Sequence, residues 1–298
     1  MNSTIKSLVV SGCSFTMGGG LDNPNYHKYF ESDAVYHNVQ DGCYEWNQKA
    51  GTFGQHFLAK NNWGYHLHKL LKIPSENYKN FAIGGGGLFR TIQSMFSFLR
   101  NYEGNPSELQ MIYQIPSAHR IELTQIHSGY NVFQSIMIED GVNEEHRKVW
   151  IKYFQNDGVD WLRLLLELDK LNEICKLKGV PLILIDWSSE FGINTVRERI
   201  DELVQINTKP DHWPIQNYHI RKNLYKQITN RIYDNSEIDI KNIISDLPFF
   251  DVLDIIGNPK NKIHTIVNGN AEIIDHHLDP NGAKLLGNYI FEKKFKEN

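Results

Sequence analysis

The sequence predicts an α/β fold, a three-layer α/β/α sandwich around a mainly parallel sheet. Three observations lead there. Short apolar, β-branched runs alternate with longer stretches of helical periodicity. Several of these runs stop abruptly at glycine or proline: Gly12, Gly84 to Gly87, and Pro116. Helices of ten or more residues separate the runs, the spacing that parallel strands need for their crossovers.

Taken in order, Ser7-Leu8-Val9-Val10-Ser11 has the form of a buried central strand and ends at Gly12. Between about 62 and 72, Trp63, Leu67, Leu70 and Leu71 share one helical face. Tyr78 to Ala82 reads as a second strand, and Leu88, Ile92, Met95, Phe96 and Leu99 form the buried stripe of a second helix. Met111 to Ile115 is a third strand. Trp161 to Leu177 is an apolar helix, followed after a Lys-Gly turn by a fourth strand, Val180 to Ile185. Ala283 to about Lys294 is the last helix, with Gly282 at its start and a basic last turn that complements the helix dipole.

Three stretches break the alternation: about 19–58, 117–157 and 188–248, all rich in Tyr, Trp, His and Asn. They read as insertions at one edge of the sheet, forming a lid, with helix signals at Val196 to Val204 and Tyr218 to Ile232. The expectation is one domain, 1–298, with decorated loops.

Composition narrows the function classes. The 298 residues suffice for a sizeable core without disulfide or metal staples. Thirty-one basic and thirty-five acidic residues give a net charge of −4, with no polybasic footprint for nucleic acid or anionic membrane. Cys13, Cys43 and Cys175 are too few and too scattered for a disulfide framework or a cysteine zinc site. No apolar run approaches the roughly 20 residues that cross a bilayer, and Leu8-Val9-Val10 is too short for a secretory core. These features read as a protein folded in a cytoplasm, with neither nucleic acid nor membrane as partner.

Three segments carry candidate chemistry. Gly12-Cys13-Ser14-Phe15-Thr16 follows the first strand, where open α/β sheets gather functional groups. Ser14 there is either a nucleophile or a plain helix cap, and Cys13 either competes with it or faces the core as a small apolar group. Asn80-Phe81-Ala82-Ile83 runs into Gly84 to Gly87. Its amides suit an anion or a developing oxyanion, or else the glycines only allow close packing. Phe89 stands where a dinucleotide fingerprint starting at Gly84 needs glycine, and no Gly-Lys-Ser/Thr ending makes a P-loop. Asp275-His276-His277-Leu278-Asp279-Pro280-Asn281-Gly282 places an acid beside two histidines. That is a base with its orienting carboxylate, part of a metal site, or a polar loop capping the last helix.

The order and spacing of these blocks resemble the SGNH (GDSL-like) hydrolase family. Gly12-Cys13-Ser14 is similar to its Gly-Asp-Ser block, with Cys13 where Asp is common. Asn80, five residues before Gly85, resembles the second block, and His277, five before Gly282, resembles the last block, His-Pro-x-x-x-Gly. Two departures stand out. The family places its Asp three residues before the His, where this chain has Ile274 and offers Asp275 instead. The Gly-x-Asn-Asp block is missing after the third strand, which continues Gln114-Ile115-Pro116-Ser117 and then Arg120.

The resemblance implies a five-stranded, flavodoxin-like sheet and a serine esterase. Ser14 would be nucleophile, His277 base, and Asp275 the carboxylate that orients it. Gly85, Gln114 as substitute donor, Asn80 and Arg120 would serve the oxyanion and substrate. No metal or organic cofactor is required. The substrate would be a small-molecule or carbohydrate ester, with deacetylation of a sugar as one case, and an uncharged ester fits the near-neutral chain. Tyr26, His27, Tyr29, Tyr36, Tyr44 and Trp46 form either a sugar-stacking wall or lid packing. Arg120 trailing the third strand resembles phage and environmental members, which adds a virion as an expected location. A sugar O-acyltransferase and an inactive SGNH-like binding or structural module remain the alternatives.

Overall fold

The computed structural model describes residues 5–18, 62–82, 87–116, 120–127, 130–137, 157–186, 243, 245–267 and 270–296. The chain runs through β1 (Ser7–Ser11), α1 (Ser14–Met17), α2 (Trp63–Leu70), β2 (Tyr78–Asn80), α3 (Leu88–Asn101) and β3 (Leu109–Ile115). It continues with β4 (Arg120–His127), β5 (Tyr130–Met137), α4 (Asp157–Lys178), β6 (Leu182–Asp186), β7 (Phe249–Phe250) and α5 (Leu253–Ile256). The last elements are β8 (Lys262–Val267), β9 (Asn270–Leu278) and α6 (Pro280–Phe291).

Five strands form one sheet in the order β2-β1-β3-β6-β7, and every pair in it is parallel. The α/β class expected from the alternation is therefore the observed one. From β1 the chain steps to β2 on one side and then crosses back to β3 on the other. The winding reverses between β1 and β3, so their carboxyl ends flank a crevice where such sheets place their ligands.

The strand period of two splits the core into two layers. Leu8, Val10, Ile112, Ile183 and Ile185 pack with Trp63 and Leu67 of α2 and Leu286 and Ile290 of α6. Val9, Met111, Tyr113 and Leu184 pack with Ile92 and Met95 of α3 and Leu165 and Leu168 of α4. Leu8, Val9 and Val10 are completely buried, each contributing about 1.5–3 kcal/mol by leaving water. Among the described residues no helix is long and apolar enough to cross a membrane.

Several boundaries differ from the expectations. β2 stops at Asn80, because the Asn80 side chain turns back to accept from the Ala82 N–H at 2.9 Å. α6 begins at Pro280, three residues before Ala283, because Asp279 caps it and proline is pre-set for the first helical position. The basic residues Lys293, Lys294 and Lys296 belong to a π-helical turn, Glu292–Lys296, that extends α6. The segment containing Asp275 and His277 is a strand rather than a loop. β9 pairs antiparallel with β8, with register shifts beside Ile263, the partner of Asp275.

Within 117–157 the chain forms the antiparallel hairpin β4–β5, which starts with Arg120 opposite Met137. The segments 19–58 and 188–242, with their aromatic residues and helix signals, lie outside the described residues.

Candidate active site

The first strand delivers the turn that carries Ser14. β1 ends at Ser11, and Gly12 follows with φ 157° in close contact with the next strand. A Cβ on Gly12 would stand 2.5 Å from Gln114 Oε1 and 2.7 Å from Thr16 Oγ1, so glycine is the residue that fits. Cys13 precedes α1 in extended conformation, and Ser14 is the first helical residue. Gly18, left-handed at φ 95°, closes α1 by donating its N–H to the Ser14 carbonyl at 2.9 Å.

Both neighbours of β1 hold this turn. From β3, Gln114 is buried and its Oε1 accepts from the Cys13 N–H at 2.9 Å, the Cys13 thiol at 3.2 Å and the Thr16 hydroxyl at 3.2 Å. Its Nε2 donates to the Ile115 carbonyl at 2.5 Å. A backbone N–H can only donate and a carbonyl can only accept, so these two partners fix which way the amide faces. Gln114 thus turns its oxygen, not its N–H group, toward the Ser14 turn. From β2, Asn80 donates through Nδ2 to the Thr16 carbonyl at 3.2 Å.

His277 arrives from the other end of the chain. It is the penultimate residue of β9, and Leu278 beside it is buried in the core with Ala283 and Leu286. The next residue, Asp279, donates its N–H to the Asn261 carbonyl at 2.9 Å and accepts from the Gly282 N–H at 2.6 Å. Gly282 has no room for a side chain, since a Cβ would meet the Asn261 carbonyl oxygen at 2.4 Å. The chain is thus anchored immediately after the histidine, and α1 lies against β9.

These anchors bring His277 Nε2 to 2.8 Å from Ser14 Oγ, a hydrogen bond between half-buried side chains 263 positions apart. Of the expected site residues, Ser14 and His277 meet directly, and Gln114 and Asn80 support the turn between them. Asp275 lies two positions before His277 in β9, and Arg120 opens β4. Gly85 lies outside the described residues.

Two supports carry no sequence signal. Thr16 is tied to both neighbouring strands. Behind the turn, the Ser11 hydroxyl donates to the Thr91 carbonyl at 3.0 Å, and the Thr91 hydroxyl pairs with the Tyr113 hydroxyl at 2.7 Å. Helix-to-strand packing creates these contacts, and no spacing motif records them.

With Nε2 unprotonated, the imidazole accepts the Ser14 proton, the arrangement that activates a serine nucleophile. Among the described residues no group of three or more His, Cys, Asp or Glu side chains is arranged to hold a metal ion.

No family model matches the chain, and no curated protein matches it. Among solved structures, the chain is similar to a member of the lipolytic protein G-D-S-L family from Veillonella parvula DSM 2008. The two share 11% identity at a TM-score of 0.36, over 98% of this chain and 99% of that one. Identity that low carries no side-chain role from one chain to the other.

Proposed function

We propose that the protein is a serine hydrolase of carboxylic esters, acting through an acyl-enzyme at Ser14. The observation that carries this reading is the 2.8 Å contact between Ser14 Oγ and His277 Nε2 at the switch point of the sheet.

In the first half-reaction Ser14 Oγ bonds to the ester carbonyl carbon while its proton passes to His277 Nε2. The tetrahedral intermediate collapses by breaking the bond to the alcohol oxygen, which takes the proton from His277. Water repeats the sequence on the acyl-enzyme: it gives a proton to His277 and bonds to the carbonyl carbon, and the bond to Ser14 Oγ then breaks as that oxygen takes the proton back from His277 and the acid leaves. Asp275 is assigned to orient the imidazole, and the backbone amides of Ser14 and Gly85 to receive the oxyanion. The finer reading, deacetylation of a carbohydrate by a phage-associated enzyme, rests on the resemblance of the motif blocks.

Hydrolysis of p-nitrophenyl acetate and labelling by a fluorophosphonate probe test the proposal. Both are expected in the native chain and lost in Ser14→Ala, with kcat down by about 10⁴-fold or more. Absence of both from the native chain sinks the reading in favour of a binding module. Faster acetyl transfer to a sugar hydroxyl than to water moves the assignment to an acyltransferase.

A further inference from the structure

Resting on that hydrolase reading, we propose that Gln114 is a positioning residue. Its side-chain oxygen clamps the turn around Ser14 to β3 and so sets where the serine hydroxyl stands against His277.

The bonds bracket the serine. Cys13, immediately before Ser14, and Thr16, two residues after it, both donate to the same atom, Gln114 Oε1. The turn therefore cannot shift along β1 without breaking bonds on both sides of the nucleophile. Thr16 is also held from β2 by Asn80, so α1 is tied to both strands that flank β1. Gly12 leaves no slack, because a Cβ there would fall 2.8 Å from Gln114 Cβ. The Gln114 side chain is 1% exposed, so losing its oxygen strands the Cys13 N–H in a dry interior. An oxyanion donor, by contrast, would have to turn Nε2 toward Ser14, and that nitrogen is bonded to Ile115.

The turn and the chemistry are read separately in the full-length chain. Gln114→Met keeps the volume and removes the acceptor. Gln114→Glu keeps an oxygen toward Cys13 and, as a neutral acid, donates to the Ile115 carbonyl. Kinetics on p-nitrophenyl acetate are measured beside native-state alkylation of Cys13 by iodoacetamide, located by peptide mass. Cys175 is the control for global unfolding, since burial pushes its thiol up to about 12.

In Gln114→Met, kcat is expected to fall about 10- to 100-fold with KM within about 2-fold, the signature of a displaced nucleophile. Cys13 becomes alkylated while Cys175 stays protected. Gln114→Glu is expected to recover at least about 10-fold of the lost kcat. If Gln114→Met unfolds, Thr16→Val removes one of the three donors and is expected to lower kcat in the same direction.

The proposal is overturned if Gln114→Met keeps native kcat with Cys13 still protected. It is also overturned if Gln114→Glu is as impaired as Gln114→Met while Cys13 stays protected, which would make the amide N–H the group that matters. A native chain without esterase activity or labelling overturns the hydrolase reading instead, and Cys13 alkylation in Gln114→Met then still reports the clamp.

Discussion

Gly287 of α6 lies directly on the backbone of Trp63 in α2. A Cβ there would stand 2.9 Å from the Trp63 carbonyl oxygen and 3.0 Å from His66 Cβ. This close approach seats α6 in the core layer it shares with β1, and α6 follows directly on the β9 segment that carries His277.

Gly287→Ala is therefore expected to destabilise the fold. Overpacking costs about 1–3 kcal/mol, and the gain in helix propensity of up to about 1 kcal/mol offsets only part of it. Gly287→Val has a smaller offset and more bulk to place, and is expected to be worse. Denaturant titration checks the order wild type, Ala, Val.

Gly12→Ala acts beside the other partner of the Ser14–His277 contact. The new methyl would press on Gln114 Oε1 and Thr16 Oγ1, the atoms that tether the turn. Stability is expected to fall by about 1–3 kcal/mol. Esterase activity should fall by more than the unfolded fraction explains, which kinetics well below the melting temperature would reveal.

His277→Gln removes the imidazole that accepts the Ser14 proton and is expected to abolish nearly all esterase activity while the fold is kept. The kcat on p-nitrophenyl acetate, read beside denaturant titration, checks it, and native kcat in His277→Gln would remove the histidine from that role.

His68 governs a separate, structural pH dependence. It is fully buried in α2, its ring stacked on Tyr78 at 4.6 Å with 3° between the planes. Burial, with a smaller push from Lys69, lowers its pKa against an opposing pull from the nearby Tyr65 backbone. The unfolded chain thus takes up a proton at higher pH than the folded one. Stability from this group is complete above the unfolded value, about 6.5, and is lost as pH falls below it. Tm is expected to drop between pH 7 and pH 5, and His68→Phe should flatten that slope.

The legible parts of the chain are those whose burial pattern is local. Leu8-Val9-Val10 reads as a strand because consecutive side chains enter opposite core layers, and Leu88 to Leu99 reads as a helix from its stripe. Phe249–Phe250 escaped because two residues carry no period. β8–β9 carries a local signal of its own, since Asn268-Gly269 between two runs with β-branched residues is the sequence of a two-residue hairpin, and the antiparallel pairing of β8 with β9 agrees with it.

The same division runs through the site. Residue chemistry and motif order suffice to nominate Ser14 and His277 and to place the serine after the first strand, since both follow from short stretches of chain. Their 2.8 Å contact does not follow from them, because it depends on α6 packing against α2 and on Leu278 entering the core. The facing of Gln114 is of the same kind. Its residue type allows donor or acceptor equally, and the choice is made by the Cys13 N–H, which reaches it from the turn after β1, 101 positions away.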